Sequence, residues 1–421
     1  MNSFKSNTTR SIQKFSFRTE KGITLISLVI TIIILLILAA VSIGALAGDN
    51  GLIARAQKAK NNTLDAESSE NTILADLENT IDTIVGVEIT GVNTDDTNPK
   101  QAIPTGGKII KGEASKGIVM QDVNENEWVW VEVPKTIYTN SIYLTGATTP
   151  SSNTDYTNIE KIMQNYAKDY RNINFKDEWY SEAQHGFASA EAYNTAKNNM
   201  LKSVYDNGGF WIGRYEAGDV TATASNTTIT SAKDDTYIAT NPAVIKADQI
   251  PYNYITNKQA QTLSTSLATG GKTSSLMFGI QWDLTCKFLE EKTSLTTTDI
   301  TSISTSWGNY YDSTINLSKG KYYTDSSSSS STWTAVTAGA KNGTMLLTTG
   351  ASEDTNKMNI YDFAGNEYEW TLEQYTSDNG SPCALRGGSY NFRGHSTPAS
   401  DHYDYGTSSS KDIIGFRPAL Y

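Results

Sequence analysis

The chain has 421 residues, 38% of them apolar and 19% charged, so it is long enough for a large folded core and too apolar to be disordered throughout or collagen-like. A formal net charge of −11 opposes binding to a phosphate backbone, and we expect no nucleic-acid partner. Two cysteines are too few for a disulfide framework or a cysteine-rich zinc site. The 23 tyrosines and 8 tryptophans favour a surface that recognises a ligand by stacking and hydroxyl hydrogen bonds.

The first predicted element is a membrane span. Residues 23–48 carry no charge, and a helix rising about 1.5 Å per residue over this length would cross a hydrocarbon core about 30 Å thick. Basic residues dominate the segment 1–22, so the positive-inside rule predicts that this segment is cytoplasmic and that the rest of the chain is extracellular. We therefore expect a single-pass protein of the cell membrane.

The boundary between this leader and the span resembles a processing site. The run Lys21-Gly22-Ile23-Thr24-Leu25 is similar to the cleavage and N-methylation motif of type IV prepilins. The resemblance implies that a prepilin peptidase cuts after Gly22 and methylates Ile23, and that residues 23–89 form a pilin-like helix, transmembrane and then amphipathic, beside other pilin subunits. Ser27 stands where the family usually has Glu, which favours a minor subunit over a major fibre component. A plain signal anchor is the alternative.

A linker and one large domain are predicted after the helix. Residues 90–107 are rich in Asn, Asp, Thr, Pro and Gly and have few large apolar side chains. In 108–421, short β-type runs alternate with helix-like stretches, so the predicted class is α+β with many loops. The β-type runs begin at 108, 128 and 209, the helix-like stretches are 157–171, 181–205 and 276–289, and the Ser/Thr-rich loops are 218–250 and 291–335.

Six short motifs follow one another along this domain: Trp130–Pro134, Phe210–Gly218, Pro251–Thr256, Tyr361–Thr371, Arg386–Tyr390 and Gly415–Arg417. In this order they resemble the formylglycine-generating-enzyme (sulfatase-modifying factor) family over about three quarters of the chain. The resemblance implies an elaborated C-type-lectin-like fold. The predicted architecture is therefore a long N-terminal pilin-like α-helix followed by a formylglycine-generating-enzyme-like domain.

The copper site of the resembled enzymes is not reproduced. In that family two cysteines follow the Arg-Gly-Gly-Ser motif, whereas here no cysteine occurs between Ser389 and the end of the chain. Tyr and Asn cannot replace two thiolates at a copper(I) site, so we expect neither copper nor oxidase activity. Cys286 lies in an apolar helical stretch and is predicted to be a buried free thiol; the sequence leaves open whether it pairs with Cys383.

A structural Ca²⁺ site is implied instead. Acidic side chains flank a Gly-Asn turn in the motif that begins at Tyr361, and calcium prefers such all-oxygen surroundings. The resemblance implies that the side chains of Asp362 and Glu369 and the carbonyls of Gly365 and Glu367 are the ligands. The alternative is that these acids are solvated or pair with arginines.

Two arginines of the motifs are interpreted as structural. Arg386 and Arg417 are flanked by Gly and apolar residues, a context typical of buried ion-pair partners rather than of substrate clamps. The expected partners include Glu369 and Glu216.

The segment 389–405 is rich in Tyr, Asn, Ser, Asp and His, a composition typical of adaptable recognition surfaces. It also resembles the hypervariable segment that diversity-generating retroelements produce on lectin-like scaffolds, with an ordinary polar loop as the alternative. The candidate ligand contacts are Tyr390, Asn391, Arg393, His395, His402, Tyr403 and Tyr405.

Together these features predict a cell-surface, pilin-like subunit that displays a non-catalytic lectin-like binding domain. It would act as an adhesin or receptor-binding head for an extracellular glycan or protein. Three alternatives stay open: a minor pseudopilin that primes assembly of a pilus or secretion fibre, a retroelement-diversified variable protein, and a divergent formylglycine-generating-type enzyme.

Overall fold

The structure is a computed structural model. It describes residues 28–37, 86–138, 143, 149–221, 232–324 and 333–421. The chain separates into two units, Met1–Thr80 and Ile81–Tyr421.

In the first unit, residues 28–37 are helical and their apolar side chains are exposed. Among the residues that the structure describes, no helix combines the length and the apolar character that a membrane crossing requires. The predicted processing site at Gly22 and Ile23, the rest of the predicted span and the predicted amphipathic helix up to residue 85 lie outside the described residues. The last residues of the predicted helix, 86–89, are described and are not helical.

The second unit mixes helices and strands, as predicted from the sequence. Its helices are α1 (Asn153–Tyr166), α2 (Glu182–His185), α3 (Ala190–Asn207), α4 (Asp235–Thr240), α5 (Asn257–Ser266), α6 (Gly279–Lys292) and α7 (Thr297–Thr301), with 3-10 turns at Pro99–Ala102, Ala114–Lys116, Lys135–Tyr138 and Lys168–Tyr170. Its strands are β1 (Lys108–Lys111), β2 (Val119–Gln121), β3 (Glu127–Glu132), β4 (Phe175–Lys176), β5 (Gly209–Gly213), β6 (Gly218–Asp219), β7 (Ala243–Val244), β8 (Ser274–Leu276), β9 (Asn316–Leu317), β10 (Lys321–Tyr323), β11 (Thr334–Ala335), β12 (Gly339–Ala340), β13 (Leu346–Leu347), β14 (Tyr368–Tyr375), β15 (Cys383–Arg386), β16 (His402–Tyr405), β17 (Ile414–Phe416) and β18 (Pro418–Leu420).

Two larger sheets position the site. One has the strand order β1-β2-β3-β5-β18-β8, and the other has the order β16-β15-β14-β17 with β4 also paired to β14. The last two strands belong to different sheets, since β17 runs parallel to β14 while β18 pairs antiparallel with β5 and β8. Arg417, the residue between them, therefore lies where the two sheets meet, and it is fully buried.

The predicted helix 181–205 is two helices. Gly186 ends α2 in the left-handed conformation, with φ of 69°, which a glycine adopts without steric cost. The Ser189 side chain then accepts a hydrogen bond from the Ala192 N–H and caps α3. The left-handed glycine and the capping serine are both local signals. The apolar spacing continues through the segment, so it did not reveal the break between the two helices.

Helix α6 is the central buried helix, and it begins three residues later than predicted. The Asp177 carboxylate accepts hydrogen bonds from the N–H groups of Gly279 (2.7 Å) and Ile280 (3.0 Å), which satisfies two free donors and stabilises the positive end of the helix dipole. A side chain at position 279 would meet the Glu373 carboxyl group at 2.2 Å, so only glycine fits there. Cys286 on this helix is buried and free, as predicted.

The segment predicted to be a linker, 90–107, packs against the core. The Thr97 hydroxyl donates to the Gly208 carbonyl (2.8 Å) and accepts from the Trp130 indole N–H (2.9 Å). The Ala102 carbonyl accepts from the Trp211 indole N–H (3.1 Å). The structure differs from the prediction here because small and polar residues supply hydrogen-bond partners to buried tryptophans, a role that composition does not reveal.

Candidate binding face

The candidate site lies on strands β14, β15 and β16. A network of buried, charged side chains lies beneath these strands and stabilises them. Arg386 has no exposed surface and contacts Glu373 at 3.0 Å and Asp283 at 2.7 Å. A second cation, Arg171, binds the other oxygen of Asp283 at 3.2 Å. Burial raises the pKa of Glu373 to about 7 and that of Asp283 to about 6, while the arginines favour the charged forms.

The predicted contact His402 belongs to this network. Its side chain is only 6% exposed, and its Nε2 lies 2.6 Å from a terminal nitrogen of Arg386. Burial and the neighbouring arginine hold the pKa of His402 well below its usual range. The imidazole is therefore neutral, and its Nε2 accepts a hydrogen bond from the guanidinium.

Arg386 is thus a buried ion-pair partner, as predicted, but its partners are Glu373 and Asp283. The predicted partner Glu369 binds the other arginine, Arg417, at 2.8 Å, which confirms that pairing. Glu216 binds neither arginine: its carboxylate accepts hydrogen bonds from the Asn366 side chain and from the Glu367 N–H.

The predicted calcium ligands already have protein donors. The Asp362 carboxylate accepts from the Gly350 N–H and from the Thr355 hydroxyl, both at 2.8 Å. Both oxygens of Glu369 accept from Arg417. The described residues contain no cluster of three or more His, Cys, Asp or Glu side chains suited to a metal. Calcium binding stays a prediction.

Within the motif that begins at Tyr361, Glu367 is the acidic residue whose carboxylate accepts no hydrogen bond. It is 1% exposed, and neither carboxyl oxygen has a hydrogen-bond partner in the described part of the chain. Burial raises its pKa well above the usual range. The sequence predicts a role for Glu367 only through its carbonyl, since nothing in the motif indicates which way the side chain points.

The seven predicted ligand contacts divide by exposure. Tyr390 is 1% exposed and its hydroxyl donates to Asp412 at 3.2 Å, so with His402 it supports the face from inside. Tyr405 is half-buried. The contacts that present their side chains to solvent are Asn391, Arg393, His395 and Tyr403.

The exposed residues continue into a row of aromatic rings. Buried Tyr368 lies 5.7 Å, centroid to centroid, from both Phe392 and Tyr403, and Tyr403 lies 5.4 Å from Tyr405. The Lys411 ammonium stands 4.7 Å from the centre of the Tyr405 ring. We call Phe392, Tyr403, Tyr405 and Lys411 the aromatic face.

One further ring near the face was missed by the sequence analysis. Arg393 lies over the Tyr311 ring at 5.5 Å, and Tyr311 is 50% exposed. No pattern in the Ser/Thr-rich stretch 291–335 marks this tyrosine, because only the fold brings it next to residue 393. Phe392 was closer to detection, since it lies between the predicted contacts Asn391 and Arg393, whereas Lys411 lies beyond the last predicted contact.

A polar groove of about 640 Å³ lies at one side of β16, between residues 169–173 and 395–402. His395 approaches the Asp312 carboxylate at 3.6 Å on its rim. Burial raises the pKa of Asp401, which also lines it, to about 6. The groove therefore offers hydrogen-bond donors and acceptors, which suit a polar ligand.

Neither thiol is placed for nucleophilic chemistry. Cys286 and Cys383 are both buried, and burial raises the pKa of both thiols, that of Cys383 to about 12. A thiol in this state has almost no thiolate at neutral pH.

Comparison with known proteins supports part of the sequence interpretation. Residues 290–420 match the FGE-sulfatase family, described as a sulfatase-modifying factor enzyme 1-like domain. No curated protein matches the chain. Among solved structures, Treponema denticola variable protein 1 is similar at 14% identity with a TM-score of 0.21, over 45% of this chain and 53% of that protein, so the chain spans about half its length.

Proposed function

We propose that this chain is a surface-displayed binding protein whose large domain recognises an extracellular glycan or protein without transforming it. The observation that carries the proposal is the aromatic face: partly exposed rings lie side by side on a strand that Arg386 and its buried partners fix from below. Rigid, amphipathic tyrosines give a large contact area at low cost in conformational entropy.

Display at the cell surface is the second part of the proposal. It rests on the charge-free stretch 23–48 and on the prepilin-like junction at Gly22 and Ile23. A prepilin peptidase and other pilin subunits would be the partners of this segment. N-terminal sequencing of the chain from its native membranes is expected to begin at Ile23, whereas a sequence that begins at Met1 would indicate a simple anchor.

Binding is tested with the full-length chain on glycan and protein arrays. The variant Y403S removes a ring that is 40% exposed, and we expect it to weaken binding at least about tenfold, the usual effect of losing an aromatic anchor. V123S removes an apolar side chain that is 60% exposed between β2 and β3, outside the face; it is the control and is expected to bind like wild type.

Other outcomes would replace the proposal. Loss of fibres on gene deletion, with no ligand on any array, would favour the pseudopilin that primes assembly. Turnover of a thiol-containing peptide by the purified chain would favour a modification enzyme.

A further inference from the structure

A second cavity, of about 570 Å³, lies between α1, α3 and the segment that leads into β4. Five basic and three acidic residues line it, although the whole chain carries a formal charge of −11. We call it the basic pocket. Its cations are Lys161, Lys168, Arg171, Lys176 and Lys197, and its acids are Glu160, Asp177 and Glu178.

Two of the three acids are engaged by the protein itself. Asp177 is buried and binds the N–H groups at the start of α6, as described above. Glu160 pairs with Lys197 at 3.2 Å. Asp169 and Asp283, which lie just outside the lining, pair with Lys168 and Arg171, and the exposed Glu178 is the third acid of the lining.

Two of the cations have no acidic partner. Lys161 and Lys176 are both exposed, and neither forms an ion pair with any residue that the structure describes. Lys168 pairs with its exposed neighbour Asp169 at 2.9 Å, and Arg171 remains partly exposed while it binds Asp283. An anion in the pocket would therefore gain contacts without breaking a buried ion pair.

The basic pocket continues into the polar groove. Arg171 and Ile173 line both the basic pocket and the polar groove beside β16. Ile173 is 86% exposed, the highest value among the large apolar side chains of the described residues. One extended ligand can thus occupy the pocket and the groove together.

We propose that the basic pocket binds the carboxylate or sulfate ester of an acidic oligosaccharide, whose sugar rings extend into the groove. The inference rests on the proposed binding function and names its ligand class. Hydroxyl and amide groups of Thr157, Gln164 and Asn165 line the pocket beside the cations and suit sugar hydroxyls. An acidic peptide would need apolar anchor sites for its side chains, and of the apolar residues here Phe175 is buried while Ile173 projects outwards.

The test is titration calorimetry of the full-length chain with a sulfated hexasaccharide and with its desulfated counterpart. We expect the sulfated form to bind at least about tenfold more tightly and to weaken as salt rises. K161Q/K176Q is expected to lose about tenfold in affinity, since it removes two solvent-exposed charge contacts. K116Q/K258Q removes the same charge from two exposed lysines elsewhere, and we expect it to bind like wild type.

Three results would overturn the inference. These are wild-type affinity in K161Q/K176Q, equal affinity for the desulfated sugar, and equally tight binding of a polyglutamate peptide with the same dependence on Lys161 and Lys176. If the hexasaccharide fails while another ligand binds in a manner that Y403S abolishes, the inference fails and the proposed function stands. If no arrayed ligand binds at all, the proposed function fails as well.

Discussion

Replacing Arg417 is the sharpest test of how the two sheets are held together. Its guanidinium donates to Glu369, to the Gly213 carbonyl (2.8 Å) and to the Tyr361 carbonyl (2.9 Å), and it has no exposed surface. These three acceptors belong to separate segments of the chain. R417M would leave the carboxylate unpaired and both carbonyls without this donor.

The expected loss in the free energy of unfolding follows from the three acceptors that R417M would leave without this donor. Removing one partner of a buried ion pair costs about 3–5 kcal/mol, and each unsatisfied buried carbonyl adds about 1–3 kcal/mol. R417M should therefore lose at least about 5 kcal/mol, which is comparable with the whole stability of a typical domain of about 5–15 kcal/mol. The variant is expected to accumulate little folded protein.

R417K keeps the prediction measurable. A lysine ammonium can neutralise Glu369 but cannot reach both carbonyls, so we expect a loss of about 2–4 kcal/mol in the free energy of unfolding. Urea unfolding followed by tryptophan fluorescence measures it, with R393K as the matched exposed control, expected within about 0.5 kcal/mol of wild type. An R417K variant as stable as that control would refute the reasoning.

Three further outcomes are expected. Burial lowers the pKa of His185 from 6.5 to about 3, so the unfolded state takes up this proton first, and the contribution of His185 to the free energy of unfolding should fall by about 1.4 kcal/mol per pH unit as pH falls between these values. Buried carboxyls with a raised pKa, such as Glu373, contribute with the opposite sign, so the measured quantity is the difference in slope between wild type and H185Q in acid titrations of stability, and equal slopes would contradict the prediction. Both thiols should resist labelling by an aromatic disulfide reagent in the native chain and react fully in urea, whereas rapid native labelling would show that one is exposed. If calcium binds at Asp362 and Glu369, it should raise the Tm of wild type but not of D362N, and an unchanged wild-type Tm would reject the site.

The sequence predicted the burial of Arg386 and Arg417 and one of their partners, Glu369, but not the partners of Arg386. Gly and apolar neighbours on both sides of Arg386 indicated an interior position, and the structure confirms it. Its partner Asp283 lies on α6, more than a hundred positions earlier in the chain. Local composition reports how well a segment tolerates burial, whereas an ion pair depends on which elements the fold brings together.

The predicted contacts show the same limit. The composition of 389–405 indicated a recognition segment, yet Tyr390 and His402 face inward while Tyr403 faces solvent. Neighbouring residues of a strand point to opposite sides of the sheet, and strand β16 and its pairing with β15 become known only with the fold.

The features that the sequence determined by itself are therefore local structure and residue chemistry. It showed a charge-free stretch near the N-terminus, the mixture of helices and strands, the ordered motifs that include a sulfatase-modifying factor-like region, and the lack of a cysteine pair after Ser389. The tertiary structure alone decided that the segment 90–107 packs on core tryptophans, that Tyr311 joins the binding face and that unpaired lysines gather in one pocket. The physical reason is that hydrophobic patterning and turn chemistry act over a few residues, while charge partners and surface neighbours are set by contacts between residues far apart in the chain.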